Sequence, residues 1–162
     1  MLTPPRQLLF DWGDTLMRDL PGMSGPMWAW PRVEAMPGAA AALSRIAARY
    51  PCHIASNASA SCAADIRQAL ARVGLAGSFT HYFCRRDLGF GKPEPAFFRH
   101  AAAQCGCRLD ELLMVGDALA TDVQGAMACG LQAVWLNSAG LPTPAGVRAI
   151  ASLAELPPLL GC

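Results

Sequence analysis

The sequence predicts an α/β domain in which a mainly parallel sheet is covered by helices on both faces, giving three layers. Short apolar runs typical of buried strands alternate with helical stretches along the 162 residues. Such alternation favours a parallel sheet with crossover helices. Hydrophobic residues make up 53% of the chain and charged residues 15%, as in a compact globular protein. We therefore expect one domain spanning residues 1–162.

The elements follow one another in a regular order. Strands are predicted at 8–10, 53–55, 81–84, 112–115 and 133–136, and helices at 39–50, 63–73, 95–105, 121–129 and, weakly, 147–156. Gly74 and Gly130 suit the positions just past helix ends, and Pro95 suits a first helical turn. Thr121 followed by Gln124 resembles a capping box and is expected to open the fourth helix.

Polar residues stand at the ends of the predicted strands. Asp11 follows the first strand, Ser56 the second and Asp117 the fourth, while Lys92 precedes a helix. In parallel α/β folds, ligands bind beyond the carboxyl ends of the strands. These four side chains are therefore expected to converge on one rim of the sheet.

Four segments in chain order carry a resemblance to a known family. Residues 10–16 (FDWGDTL), 54–57 (IASN), 91–95 (GKPEP) and 115–122 (VGDALATD) resemble the four motifs of the haloacid dehalogenase-like (HAD) superfamily. Each segment lies on the expected element, and together they cover nearly the whole chain. The resemblance implies a Rossmann-like core and a Mg²⁺-dependent phosphatase that acts through an aspartyl-phosphate.

The resemblance also implies a role for each matching residue. Asp11 would be the nucleophile, and Lys92 would neutralise the nucleophile and the transferring phosphoryl group. Phosphate would be held by Ser56, Asn57 and Lys92, and Mg²⁺ by Asp11, the carbonyl of Gly13 and Asp117, with Thr15 and Asp122 in supporting positions.

Each of these residues also has an ordinary structural interpretation. Asp11 would serve as a turn cap, Ser56 and Asn57 as loop residues, and Lys92 as a solvated surface lysine. Asp117 and Asp122 would be acids at a helix N-terminus. Lys92 is the only lysine among thirteen basic residues, and it lies within Gly-Lys-Pro, which favours a functional role.

Gly13 departs from the family pattern. The resemblance places a second aspartate two residues after the nucleophile, where it donates and then accepts a proton. Glycine keeps the backbone carbonyl and removes that side chain, so we expect metal binding to survive and proton transfer to weaken. Asp14 is not expected to substitute, because adjacent loop residues point in different directions.

The segment 17–36 is too short to form a cap domain of its own. It contains four methionines, two tryptophans and three prolines. A loop packed on its own domain is the plainer interpretation. The alternatives are a flap over the site or a surface for homo-oligomerisation, since Trp and Met are enriched at interfaces.

Composition excludes several other classes. The net charge of +1 gives no basis for binding nucleic acid or an anionic membrane. No apolar run is long enough to span a bilayer, and the N-terminus is a poor signal peptide, so a cytoplasmic location is expected. The seven cysteines are odd in number and irregularly spaced, as in a protein with reduced thiols.

Two functions from different classes follow. The first is a phosphatase that is weak, or biased towards activated phosphates, and acts on a phosphorylated substrate. The second is a HAD-like protein that binds phosphate or a partner without turnover, an alternative that Gly13 keeps open.

Overall fold

The computed structural model describes residues 3–162, and these residues build one six-stranded sheet. The strands are β1 Gln7–Phe10, β2 Cys52–Ser56, β3 Tyr82–Cys84, β4 Leu112–Gly116, β5 Gln132–Leu136 and β6 Arg148–Ile150. Their order is β3-β2-β1-β4-β5-β6, and every neighbouring pair is parallel. The predicted α/β class is confirmed, and no cap domain is evident in the part of the chain described.

Six α-helical segments connect or follow the strands. They are α1 Ala39–Ile46, α2 Ala63–Arg72, α3 Arg85–Leu88, α4 Pro95–Cys105, α5 Gly125–Ala128 and α6 Leu156–Leu159. A π-helical segment, Leu119–Gln124, runs directly into α5. The predicted helices at 63–73 and 95–105 are confirmed almost to the residue, whereas α1 ends four residues before the predicted boundary.

Apolar side chains fill both faces of the sheet. Successive strand residues point to opposite faces, so Leu8 of β1 packs in the same cluster as Leu43 of α1 and Ile66 of α2. The next residue, Leu9, packs in a second cluster with Phe98 of α4. All five side chains are at most 1% exposed. The result is the predicted three-layer arrangement.

One predicted helix start and one predicted helix are wrong. Thr121 does not open a helix, because helical backbone already begins at Leu119. The N–H of Ala118 at this helix start is satisfied by the Asp122 carboxylate at 3.0 Å, so no threonine cap is needed. The weak helix at 147–156 is replaced by β6, which pairs with β5, and by a short helical turn after it. Pairing with a neighbouring strand outweighs the local preference there.

The strand order fixes where the site lies. From β1 the chain moves outward through β2 and β3, and then returns to β4 on the other side of β1. In sheets of this kind the crevice forms where the order reverses. The carboxyl ends of β1 and β4 therefore flank the binding crevice, with β2 beside them.

The segment 17–36 packs on its own domain. Its only helical turn is Met27–Ala29, and its two ends are joined by the bond from Arg18 N–H to the Glu34 carbonyl at 2.9 Å. Arg72 of α2 donates to the carbonyls of Trp28 at 2.8 Å and Trp30 at 2.6 Å. The segment is thus an ordered loop that packs against α2. We call residues 17–36 the flap.

The described helices include none that is both long enough and apolar enough to cross a membrane.

His53 of β2 lies on the buried part of the sheet and is held as a neutral imidazole. Its Nδ1 accepts the backbone N–H of His81 at 3.3 Å, so Nε2 carries the proton and lies 2.7 Å from Gln7 Oε1. Burial, together with the nearby His81, lowers the pKa of His53 to about 4. Protonation of Nδ1 would turn this acceptor into a donor. The Nδ1 proton would then face the backbone N–H of His81, and their hydrogen bond would be lost.

We expect His53 to make the fold sensitive to acid. In the unfolded chain this imidazole gains a proton near its ordinary pKa of 6.5. Between pH 6.5 and 4 the unfolded state therefore binds more protons than the folded state, and stability falls as the pH falls. Because one pKa unit corresponds to about 1.4 kcal/mol, the contribution lost is of order 1–3 kcal/mol.

The measurement is urea unfolding of wild type and His53→Gln at pH 7.0, 5.5 and 4.0. Both proteins share every other titrating group, so the difference between them isolates His53. The stability advantage of wild type should shrink across this range. An advantage that stays constant with pH would contradict the prediction.

Candidate active site

A buried ammonium stands at the centre of the candidate site. Lys92 is only 3% exposed, and its Nζ lies 2.8 Å from Asp11 Oδ1 and 2.8 Å from Asp122 Oδ1. Burial by itself lowers the pKa of Lys92, but the two carboxylates outweigh it and leave the pKa above its ordinary value. The lysine is therefore charged, and the surface interpretation of this residue is excluded by its burial.

Thr15 joins the acids of two neighbouring strands. Its Oγ1 lies 3.2 Å from Asp11 Oδ2 and 3.0 Å from Asp117 Oδ1, and it accepts the backbone N–H of Asp117 at 3.1 Å. The carbonyl of Asp117 also accepts the indole N–H of Trp135 at 2.8 Å. Asp11 after β1 and Asp117 after β4 are thereby fixed side by side.

The three acids of the site form an arrangement that suits a divalent cation. One carboxylate oxygen from each of Asp11, Asp117 and Asp122 lies within 4.8 Å of the others. Burial and the charge of Asp11 raise the pKa of Asp117 to about 7. The same two causes raise the pKa of Asp122 to about 6, although Lys92 opposes the shift. One ammonium does not balance three carboxylates, and oxygen ligands are those that Mg²⁺ prefers.

Ser56 and Asn57 follow β2 at the same edge but make different contacts. Ser56 is buried, and its Oγ accepts the N–H of Ala58 at 3.1 Å. The Asn57 side chain donates to the Lys92 carbonyl at 2.7 Å and accepts the Lys92 N–H at 2.8 Å. Both ends of the amide thus hold the backbone of Lys92.

Two glycines leave room for these contacts. A Cβ at Gly91 would lie 2.5 Å from Asn57 Oδ1, and a Cβ at Gly116 would overlap the Asp122 carboxylate. Any larger residue at either position would displace a side chain that holds Lys92. Glycine is therefore needed at both positions, because the Asn57 side chain approaches Gly91 closely and the Asp122 carboxylate approaches Gly116 closely.

Gly13 faces open space. A Cβ built on Gly13 would meet nothing within 4 Å, so the position has room for a side chain to begin. The Asp14 carboxylate accepts the backbone N–H of Asp19 at 2.9 Å and does not line the cavity. The Asp14 side chain thus caps the backbone of the following turn and does not take the place of the aspartate missing at Gly13.

The site opens into a cavity of about 390 Å³. Its polar end contains every residue predicted from the motifs except Thr15, which is buried behind it. Its other walls were missed by sequence reasoning and include Trp12, Asp19, Met27 and Trp30. The only signal for this wall was the Met, Trp and Pro content of the segment 17–36, which did not identify individual residues.

The chain belongs to the haloacid dehalogenase-like hydrolase family, whose family model matches residues 25–130. The matched stretch includes Ser56, Lys92, Asp117 and Asp122. Asp11 and Gly13 lie before it, so their roles depend on the geometry and on the first motif.

Named relatives are phosphatases of several specificities. The chain is 39% identical over 71 residues to phosphoserine phosphatase of Thermus thermophilus, covering 44% of this chain and 28% of that protein. It is 34% identical over 95 residues to pyrimidine 5'-nucleotidase of Escherichia coli, covering 56% of this chain and 42% of that protein. The chain therefore spans less than half the length of these relatives.

The fold is also that of solved members of the superfamily. The putative HAD-hydrolase YfnB of Bacillus subtilis superposes with a TM-score of 0.81 at 18% identity, over 99% of this chain and 100% of that chain. At this identity the likeness concerns the fold.

We expect replacement of Lys92 by Met to destabilise the protein strongly. The change removes the cation that compensates two adjacent carboxylates, one of which is 1% exposed. Leaving a buried charge without its partner typically costs about 3–5 kcal/mol. Chemical denaturation without divalent cations measures the effect.

The control is Arg108→Met, which breaks an exposed ion pair with Asp110. Surface pairs contribute about 0–1 kcal/mol, so this change should be nearly neutral. In addition, Asp122→Asn in the Lys92→Met background should recover part of the loss. A Lys92→Met protein as stable as Arg108→Met would contradict the prediction.

Proposed function

We propose that this chain is a Mg²⁺-dependent phosphohydrolase in which Asp11 is the nucleophile. One observation carries the proposal: the Asp11 carboxylate lies in the cavity at the strand-order reversal, 2.8 Å from a buried ammonium. If Asp11 served only as a turn cap, its carboxylate would not need the buried ammonium of Lys92 as a partner. Family membership and the phosphatase relatives support the same reaction class.

The chain's own residues suffice to describe the phosphoryl transfer. An Asp11 oxygen attacks phosphorus, an O–P bond forms, and the bond to the leaving oxygen breaks with its electron pair going to that oxygen. Attack by water on the aspartyl-phosphate then releases phosphate and restores the carboxylate. Lys92 and Ser56 would stabilise the phosphoryl oxygens, because both line the cavity beside Asp11.

Magnesium would be held by Asp11, Asp117 and the Gly13 carbonyl. When bound, it would supply positive charge that offsets the carboxylates and the phosphate oxygens. Thr15 and Trp135 would keep Asp117 in place through its side chain and its carbonyl. Asp122 would hold Lys92, since its two oxygens contact Lys92 and the N–H of Ala118.

Gly13 sets the limits of this reaction. A positioned acid–base residue contributes about 10²–10⁴ in rate, and glycine contributes no such group. Aryl and acyl phosphates release a stabilised oxyanion without a proton, whereas alkyl phosphates need one. We therefore expect a slow phosphatase that favours activated phosphates and retains its phosphoenzyme for longer.

The second candidate function is phosphate or partner binding without turnover. Gly13 favours it, because the site keeps its charge framework while the position of the proton-transfer group is empty of side-chain atoms. The two functions differ in one respect only, which is whether Asp11 becomes phosphorylated.

We expect Mg²⁺ to stabilise the folded protein through Asp11 and Asp117. At a concentration one hundred times its dissociation constant, a ligand that binds only the folded state adds about 2.7 kcal/mol. For a protein of this size that corresponds to roughly 5–10 °C in Tm. Thermal unfolding with Mg²⁺ or EDTA should show this shift in wild type and in the exposed control Asp110→Asn. Asp117→Asn should lose most of it, and an equal shift in Asp117→Asn would argue against the site.

We expect Gly13→Asp to increase turnover of alkyl phosphates by about 10²-fold or more, because it restores a carboxylate where nothing obstructs it. The gain with an aryl phosphate should be smaller. Steady-state kinetics with glycerol phosphate and phenyl phosphate in Mg²⁺ measure both. Rapid alkyl-phosphate turnover by wild type, with no gain in Gly13→Asp, would show that the glycine is not limiting.

Asp11→Asn separates the two candidate functions. Intact-mass measurement after brief mixing with acetyl phosphate should show a phosphorylated wild type and an unmodified Asp11→Asn. If wild type is neither phosphorylated nor active while phosphate still binds, the non-catalytic function replaces the proposal.

A further inference from the structure

We propose that the cavity selects phosphate monoesters whose leaving group is an uncharged aromatic ring. Met27 and Trp30 form the wall that receives the ring, and Asp19 disfavours any substrate with a second anionic group. This inference rests on the proposed function, since it assigns a substrate class to the same site.

The wall of the cavity offers apolar surface. Trp12, Met27 and Trp30 line it on the side of the flap. The Trp30 indole N–H is already used, because it donates to the carbonyls of Ser24 at 3.1 Å and Gly25 at 3.2 Å. The Trp12 indole N–H likewise lies 3.2 Å from the sulfur of Met17. Neither tryptophan has a donor left for a polar leaving group.

The wall is also held in place. Arg72 donates to the carbonyl of Trp28, inside the short helical turn that carries Met27, and to the carbonyl of Trp30, directly after that turn. Met27 is 5% exposed and Trp30 is 8% exposed, so both side chains are packed with only an edge reaching the cavity. A preordered apolar wall loses little entropy when an aromatic ring binds, and a thioether makes favourable contacts with such rings.

The charges that line the cavity disfavour a second anion. Among the described residues that line it, four carry carboxylates and one carries an ammonium. The ammonium of Lys92 is engaged by Asp11 and Asp122 at 2.8 Å each. Asp19 stands on the flap side of the cavity, exposed and outside the cluster of three acids. A carboxylate or second phosphate on the leaving group would meet Asp19 and find no free cation.

The size of the cavity fits the same class. Its volume of about 390 Å³ lies in the range of small-molecule sites and exceeds what a phosphate group alone requires. The missing side chain at Gly13 points independently to this class, since an aryl oxide leaves without a proton. The apolar wall, the excess of carboxylates in the cavity and the missing side chain at Gly13 therefore all favour an aromatic phosphate monoester.

Binding of non-hydrolysable phosphonates tests the inference separately from catalysis. Isothermal titration calorimetry in Mg²⁺ compares phenylphosphonate, methylphosphonate and 4-carboxyphenylphosphonate. We expect wild type to bind phenylphosphonate at least about tenfold more tightly than methylphosphonate, a difference of about 1.4 kcal/mol. The carboxyl group should weaken binding several-fold relative to phenylphosphonate.

Charge variants test the role of Asp19. Asp19→Lys should remove or reverse the penalty on 4-carboxyphenylphosphonate. The matched control is Asp110→Lys, which changes the net charge equally at an exposed position that does not line the cavity. If both lysine variants change the phenyl-to-carboxyphenyl ratio to the same degree, Asp19 has no specific role and the inference fails.

Met27→Gln tests the wall with a side chain of similar length. It should weaken phenylphosphonate binding more than methylphosphonate binding, so that the phenyl-to-methyl ratio falls several-fold, and circular dichroism verifies the fold. If Met27→Gln fails to fold, the phenyl-to-methyl ratio of wild type still decides the matter. Equal affinities of wild type for the phenyl and methyl ligands would overturn the inference.

The outcome also distinguishes this inference from the proposed function. If turnover depends on Asp11 but phenylphosphonate binds no more tightly than methylphosphonate, only the inference about the aromatic substrate is wrong. A phenyl preference in a protein that never becomes phosphorylated would remove only the catalytic proposal, and the cavity would then be a binding site for aromatic phosphates.

Discussion

The ammonium of Lys92 is the contact through which the parts of the site depend on one another. It joins Asp11, at the end of β1, to Asp122, in the helical segment after β4. A buried charge of either sign is costly alone, and each of these groups is tolerated because the others are present. Asn57 fixes the backbone of the lysine from the end of β2. The Lys92 side chain and the Asn57 amide thus connect the carboxyl ends of β1, β4 and β2.

The remaining imbalance of charge gives the site its chemistry. Three carboxylates and one ammonium leave excess negative charge in the pocket, and burial together with the neighbouring charge of Asp11 raises the pKa values of Asp117 and Asp122. A divalent cation would relieve this imbalance. With the two positive charges of that cation the site would be close to neutral rather than negative, so the same excess of acids that destabilises the isolated fold prepares it for a metal and a phosphoryl group.

The flap would give this charged centre the substrate preference that we propose. It is ordered by hydrogen bonds to Arg72 and by the pairing of its two ends, and it contributes apolar side chains and one acid to the lining of the cavity. Gly13 also lines the cavity and leaves space where a proton-transfer group would stand. If Asp11 transfers a phosphoryl group as proposed, Gly13 and the apolar wall would both favour aromatic phosphate monoesters.

The sequence by itself determined the strand and helix alternation, the parallel sheet and the residues at the strand ends. It did so because buried parallel strands are continuous apolar runs, and because Asp11, Ser56, Lys92 and Asp117 each belong to a local motif. Only the tertiary structure decided contacts between distant segments. The Asn57 amide binds the Lys92 backbone, Asp122 supports that lysine, and 148–150 forms a strand rather than a helix. Met27, Trp30 and Asp19 belong to no motif, and they line the cavity because Arg72, far along the chain, holds the flap. Such contacts depend on packing between elements, which local patterns in a single sequence do not encode.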